Sequence, residues 1–392
     1  MMIFKKKSFK MINSIIYNYF KTKFNINKML DNNNIDNLLH MMKNLNFKIN
    51  TDEYNDMNRE LDNFLLKYIK NDINLDINDY KFLSKDHINN EFIENRIKKL
   101  NFNIRKLNSL LEYPIIEQRT KEWFEKRKKC LTASDLFDGI SKNNILLAKK
   151  KAGVYIDNTD FTNIAPLKWG TMFEDMAIRT YSQNNNNIKI HDFGLVDNNN
   201  IKNFAASPDG ITELGIMIEI KCPYSRVIKK NVIPEKYYYQ IQGQLAVCNL
   251  DECDYIECDF GTIENEDEYI KYVSDNKLNN KNHGIIAQYY SKEKNLYKYL
   301  YSDAFLSNLK CINNINEKIK NYNDNDFTYQ KNIYWHLKEI YIQRINFNNE
   351  LWSNIPDKIN LFWSKVNDCR TLPIEYKTIK KSIKYNFVQD ND

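Results

Sequence analysis

The chain has 392 residues, 42% hydrophobic and 13% aromatic, with 9 Gly and 7 Pro, which excludes disordered, collagen-like and linker-dominated architectures. Its formal charge of +6 is uneven: residues 1–50 hold nine Lys and two Asp, a local +7, leaving −1 for the remainder. The 7 Cys include no CxxC pair and follow no secretory signal, which excludes a disulfide scaffold and reads as reduced core thiols of an intracellular protein.

In chain order, residues 1–112 read as short amphipathic helices between Asn/Asp turns: "SIIYNYF", "NIDNLLHMMKNL", "NRELDNFLLKYIKN" and "EFIENRIKKLNFNIRKLNSLLEY". Nothing there looks catalytic. The basic arm suits either phosphate contact, by releasing counterions, or a solvated helix face. "MINSIIYNYF" is too short and polar to span a bilayer, and the Arg-free start makes a poor organelle presequence. Pro114 marks the boundary to the remainder, residues 113–392.

"TKEWFEKRKKCLTASDLFDGI" predicts a helix, a break and a second helix, with Thr132 or Ser134 as candidate N-caps. "WGTMFEDMAIRTYSQ" predicts a helix with Phe173, Ala177 and Tyr181 on one face, ended by the Asn run at 184–187. "IKIHDFGLVD", "FAASPDG" and "GIMIEIKC" predict strands. Pro234 suits the first turn of a helix through "EKYYYQIQGQLAVCNL". "ECDYIECDFG" predicts a half-buried strand, Tyr255, Glu257 and Asp259 facing water and Ile256, Cys258 and Phe260 the core. "YWHLKEIYIQRINF" predicts a strand, and "NNELWSNIPDKINLFWSKVNDC" a closing helix kinked or restarted at Pro356. "SDNKLNNKNHG" and "NYNDNDF" read as polar loops. The order describes an α/β sandwich around one sheet.

Chemistry concentrates at residues 204–223. On a strand, Glu219 and Lys221 share one face while Ile218, Ile220 and Cys222 share the other. Asp209, ten residues before Glu219 in a Ser-Pro-Asp-Gly turn, can return beside it through a hairpin. Two acids and a lysine converging in this way suit a hard divalent cation and phosphodiester hydrolysis. A surface ion pair on an edge strand is the competing reading, and the spacing alone leaves both open.

The company of these residues resembles the PD-(D/E)xK nuclease superfamily, and within it the lambda exonuclease family of YqaJ-type viral recombinases. "SPDG" with "EIKCP" is similar to that family's central motif, "WGTMFE" to its W-G-x-x-x-E helix, "WFEKRKKCLTASD" to its W-x-x-x-R…T-A-S segment, and "YYYQIQGQLAV" to its Y-x-x-Q-x-Q helix. The four stand in the family's order over residues 117–260. The resemblance implies a restriction-endonuclease-like core, a central mixed sheet flanked by helices, to which residues 1–112 add an α-helical extension and residues 261–392 an expanded C-terminal part. It also implies roles. Asp209 and Glu219 would bind metal with the Ile220 backbone carbonyl, and Glu174 would help with a second ion or its waters. Lys221 would be the catalytic lysine and Gln240 a partner of the metal or nucleophile. Arg127 would take a DNA 5′-phosphate, with Ser134 and Ser207 as hydroxyl donors and Tyr237 on the face of Gln240.

Beside these roles stand plainer ones: Ser134 as a cap, Tyr237 as packing, Trp123 and Trp169 as core anchors, and Gln242 and Gln244 as a polar flank. Cys248, Cys253 and Cys258 do not match zinc spacings, and His191 and His283 have no evident partners. The expected activity is a Mg²⁺-dependent (Mn²⁺ as substitute) 5′→3′ exonuclease on double-stranded DNA ends, using two ions, in recombination, repair or end processing. The resemblance also implies a possible trimer, and a single-strand-annealing protein as partner. The alternatives are a structure-specific endonuclease or RNase at the same site, or a non-enzymatic DNA-end-binding scaffold.

Overall fold

In the computed structural model, the described residues are 87–113, 116–198, 200–275, 282–303 and 308–377, with Asn55, Asn58, Arg59, Asp62, Asn63 and Leu66. The helices expected at "SIIYNYF" and "NIDNLLHMMKNL" lie outside them. The principal elements are α1 (His87–Leu111), α2 (Lys121–Lys128), α3 (Ala165–Asn184), β1 (Ile190–His191), β2 (Gly210–Thr212), β3 (Met217–Lys221), α4 (Glu235–Cys248), β4 (Glu252–Ile263), α5 (Glu266–Asp275), β5 (His283–Ser291), β6 (Leu296–Tyr301), α6 (Asn308–Lys320), β7 (Thr328–Asn346) and α7 (Ile355–Cys369).

Seven strands form one mixed sheet in the order β6-β5-β7-β4-β3-β2-β1. The β3–β4 pair is parallel and its neighbours are antiparallel. A smaller sheet joins Leu131–Thr132, Phe204–Ala206 and Val196–Asp197.

Alternation along β3 and β4 divides the core. Ile218, Ile220, Ile256, Cys258 and Phe260 pack against Phe173, Met176 and Ala177 of α3 and Ile97 and Leu100 of α1. Met217, Cys253 and Tyr255 turn to the other face, onto Ile241 and Leu245 of α4. Phe173, Ala177 and Tyr181 are buried, as their four-residue spacing predicts. The closing helix does restart, as Asn349–Trp352 followed by α7 with Pro356 in its first turn.

Three expectations need correction. The strand β4 is not half-exposed, because α4 covers the face of Tyr255 and both Tyr255 and Glu257 are fully buried. Pro234 stands at the N-cap of α4 rather than inside its first turn. Neither Thr132 nor Ser134 caps a helix with its side chain; Thr120 caps α2 by accepting from the Trp123 N–H. After residue 263, where sequence reasoning named only two polar loops, α5, the β5–β6 hairpin and α6 build a further core around Tyr269, Ile285, Ala287 and Ile315. Its aromatic and Ile residues are diluted by Asn and Lys on the opposite faces, which hides the pattern.

Candidate active site

The β2–β3 hairpin sets the site. Gly215 turns it at φ 71, and a Cβ there would sit 2.4 Å from the Asn103 carbonyl oxygen, so only glycine is tolerated. Gly210 then pairs with Ile218, which returns Asp209 beside β3. The Asp209 carboxylate accepts from the Ile220 N–H at 2.7 Å. Because β3 is flanked by β2 and β4, the edge-strand reading of the Glu219–Lys221 pair fails.

Glu219 is fully buried, and every donor around it comes from α4 or its own strand. Gln240 Nε2 donates to one oxygen at 2.7 Å and Gln244 Nε2 to the other at 2.8 Å, while Lys221 Nζ pairs with the first. The polar-flank reading of Gln242 and Gln244 is therefore wrong. Both are buried, and Gln242 binds the Asn346 carbonyl and the Asn348 N–H. A signal for Gln244 existed in the sequence: it lies four residues after Gln240 and so shares its helix face.

Burial alone would lower the Lys221 pKa; the Glu219 and Asp209 carboxylates outweigh it and hold the ammonium above its usual range. Its Nζ lies 4.8 Å from the Tyr237 ring centroid, which gives Tyr237 a specific contact as well as packing. Burial, then Glu219 and Glu174, push the Asp209 carboxyl well up against the pull of Lys221. Burial also raises Glu174, opposed by Arg119, whose Nη2 donates to Glu174 Oε2 at 3.0 Å. Sequence reasoning did not identify Arg119. It has φ 65, a costly backbone state, and the neighbouring Gln118 amide fixes the loop by donating to the Phe193 and Pro208 carbonyls.

Glu174, Asp209, Glu219, Ile220, Lys221, Tyr237 and Gln240 line one open cleft of about 510 Å³, so these predicted site residues are brought together. Arg127, Ser134 and Ser207 form a second cluster outside that lining. Arg127 stacks on Trp123 at 4.3 Å and donates to Ser134 Oγ at 3.2 Å, and Ser134 shares a hydrogen bond with Thr132. Trp123 Nε1 donates to Ser207 Oγ at 3.3 Å, which in turn donates to the Gly194 carbonyl. Burial lowers the Arg127 pKa, with Asp135 opposing. Trp123 packs on Cys130, Leu195 and Ala205, and Trp169 against Phe173, as core anchors. His283 has a partner after all, the Tyr269 hydroxyl at 2.7 Å.

The donor set suits a hard cation in type, since carboxylates of Asp209, Glu174 and Glu219 face one cleft, and burial first, with neighbouring carboxylates after it, raises Asp209 and Glu174. Among the described residues, no three such donors close into a finished cage. Arg119 holds Glu174, and the glutamines and Lys221 hold Glu219. No helix among the described residues is long and apolar enough to cross a membrane.

Comparison with known proteins agrees with the motifs. Residues 122–251 match the family described as YqaJ-like viral recombinase domain. A protein of Acanthamoeba polyphaga mimivirus is 28% identical over 302 residues, 67% of this chain and 54% of its own length, so the chain spans about half of that relative. An alkaline exonuclease (LHK-Exo) from Laribacter hongkongensis is similar at 19% identity and a TM-score of 0.39, over 64% of this chain and 93% of that one. A phage related exonuclease from Haemophilus somnus 129PT is similar at 12% identity and a TM-score of 0.35, over 61% of this chain and 94% of that one.

Proposed function

We propose that the chain, whose residues 122–251 match the YqaJ-like viral recombinase domain family, is a metal-dependent deoxyribonuclease, a 5′→3′ exonuclease on double-stranded DNA ends. The observation that carries this reading is the convergence of Asp209, Glu219, Lys221, Glu174 and Gln240 on one cleft inside the matched residues. Mg²⁺, or Mn²⁺ in its place, would be held by Asp209, Glu219, Glu174 and the Ile220 carbonyl, and would supply an activated water and charge neutralisation.

The chain's own residues do the rest. Lys221, paired with Glu219 at the wall of the cleft, is placed to donate a hydrogen bond to phosphate oxygens or to the attacking water. Gln240 and Gln244 fix the rotamer of Glu219. Arg127, held flat on Trp123, presents a guanidinium to the 5′-phosphate, with the Ser134 hydroxyl beside it. In-line attack at the scissile phosphodiester would release 5′-phosphate nucleotides and leave a 3′ overhang for an annealing protein.

Linear duplexes with a 5′-phosphate or a 5′-hydroxyl test this reading. The expected result is Mg²⁺-dependent release of mononucleotides from the 5′ end, abolished in Asp209→Asn. Arg127→Ala is expected mainly to erase the preference for 5′-phosphate. Cleavage of a covalently closed circle would establish the endonuclease alternative instead. Full activity of Asp209→Asn would sink the mechanism.

A further inference from the structure

A second arm opens on the other side of the carboxylates. This cleft of about 610 Å³ shares Thr171, Glu174 and Asp209 with the first and runs to β6 of the β5–β6 hairpin, where Tyr297, Tyr299 and Tyr301 line it. The hairpin lies outside residues 122–251, so this tyrosine wall is built from beyond the matched domain. We propose that it is a nucleobase subsite, which takes a base of the DNA strand lying across the catalytic carboxylates; this rests on the nuclease reading above.

Three observations support a base over a phosphate. The first is charge: beyond Glu174 and Asp209, which the metal would neutralise, Glu117, Asp175 and Asp192 line the arm, and its basic groups Arg119 and Lys298 are already paired with Glu174 and Asp324. Such a wall repels phosphate but can accept hydrogen bonds from the exocyclic amino groups of bases.

The second is ring geometry. Alternate residues of a strand stand about 6.6–6.8 Å apart, roughly twice the 3.4 Å rise of stacked bases. Tyr297 and Tyr299 obey this spacing, with centroids 6.4 Å apart and planes within 12°. A planar base stacked on these near-parallel rings would share Tyr297 with Lys168, whose Nζ lies 3.6 Å from the ring centroid.

The third is partnering. Tyr297 is fixed by its hydroxyl to Asn163 at 2.9 Å, and Tyr301 by its hydroxyl to the Met172 carbonyl at 3.0 Å. The hydroxyl of Tyr299 between them is buried without a hydrogen-bond partner among the described residues. The base stacked on its ring cannot reach that hydroxyl, but a sugar oxygen of the same nucleotide would supply a partner.

The test uses full-length protein and 5′-phosphorylated duplexes carrying 2-aminopurine, or an abasic residue, at one terminal position at a time. Binding is read in Ca²⁺, and release of nucleotides in Mg²⁺. At one position the fluorescence of 2-aminopurine should be quenched on binding to the wild type and restored with Tyr297→Ala/Tyr299→Ala. That variant should bind about tenfold more weakly, the loss expected for one stacked base, and Tyr299→Phe should keep the quenching. The abasic duplex should lose about tenfold against the wild type and nothing further against the double variant. Unchanged fluorescence at every position, or losses that simply add, would overturn the proposal. Failure of the nuclease reading would appear separately, as quenching in Ca²⁺ with no nucleotide release in Mg²⁺.

Discussion

The Asp209 carboxylate accepts the backbone N–H of Ile220 at 2.7 Å, tying the Ser-Pro-Asp-Gly turn to the strand that carries Glu219 and Lys221. One oxygen of Asp209 thus serves the fold, while its charge is the part that the proposed chemistry uses. Two substitutions separate these roles. Asp209→Asn keeps an acceptor and should fold normally while losing nuclease activity by about a thousandfold or more. Asp209→Ala also leaves a backbone N–H unpaired and should be less stable than Asp209→Asn by about 1–3 kcal/mol. Paired thermal melts and nucleotide-release assays read the two effects. Equal stability of the two variants would remove the structural role.

Gln244 offers a second separation. It is buried and donates to Glu219 Oε2, whereas Gln240 donates to Oε1 from the wall of the cleft. Gln244→Leu should therefore destabilise the protein by about 1.5–3 kcal/mol, the range for a hydrogen bond to a charged group. Gln240→Ala should reduce turnover about tenfold or more with a smaller change in melting temperature. Chemical denaturation alongside steady-state kinetics checks both, and a Gln244→Leu protein as stable as wild type would contradict the geometry.

Much of this site was legible because its physics is local. Alternation on β3 put Glu219 and Lys221 on one face, and the four-residue step of Phe173, Ala177 and Tyr181 gave the buried stripe of α3. Motif order supplied the remainder of the cleft. The burial of Glu257 was not legible, because it depends on α4 covering the strand and on an ion pair with Arg226, thirty-one residues away. Arg119 was hidden for a related reason: it reaches Glu174 across fifty-five residues, and no helix or strand spacing encodes that. The β5–β6 hairpin drew no expectation, because the Lys and Glu of its turn interrupt the tyrosines of its two strands.

The raised carboxyls predict a pH effect with a definite sign. Asp209 and Glu174 are pushed up first by burial, so between about pH 4, where they titrate in the unfolded chain, and their folded values the native state holds more protons. Metal-free stability should then fall as pH rises through that window. Asp254 and Glu252 act oppositely: their arginines outweigh burial and hold them low, so their contribution is present at neutral pH and is lost as pH falls through their folded values. Subtracting wild-type from Asp209→Asn melting curves cancels this second set. The variant should lose less stability toward neutral pH. Mg²⁺ at about a hundred times its Kd should stabilise the wild type by ~2.7 kcal/mol and Asp209→Asn far less. Parallel pH profiles and equal Mg²⁺ shifts would rule this out.

Gly170 lies on α3 and lines the first cleft, and among the described residues no atom beyond its own helix backbone stands within 4 Å of where its Cβ would be. Packing thus does not require glycine at this position. Inside a helix, Gly→Ala gains up to about 1 kcal/mol. Gly170→Ala should melt at the same or a higher temperature, and if DNA occupies the cleft it should cut with a lower kcat/KM. A variant with unchanged kinetics would place the substrate away from this wall.

Arg344 on β7 ends in a fully enclosed charge network: it binds Asp254 at 2.6 Å and Asp62 at 2.9 Å, while Arg96 of α1 binds Asp62 at 2.6 Å and Glu252 at 2.8 Å. Asp62 and Arg96 belong to the segment before Pro114; Asp254 and Glu252 belong to β4, the strand beside β3. Two arginines and three carboxylates satisfy one another there, with Tyr181 donating to Asp254 at 2.6 Å. Removing one member strands its partners without water, at a cost of about 3–5 kcal/mol. Arg344→Met and Arg96→Met should each approach that loss, and their combination should cost less than the sum because they share Asp62 and Glu252. The same coupling predicts that deleting residues 1–112 weakens the nuclease portion rather than freeing it. Chemical denaturation of the single variants, the double variant and the truncated chain measures this, and strict additivity with an unaffected truncation would overturn it.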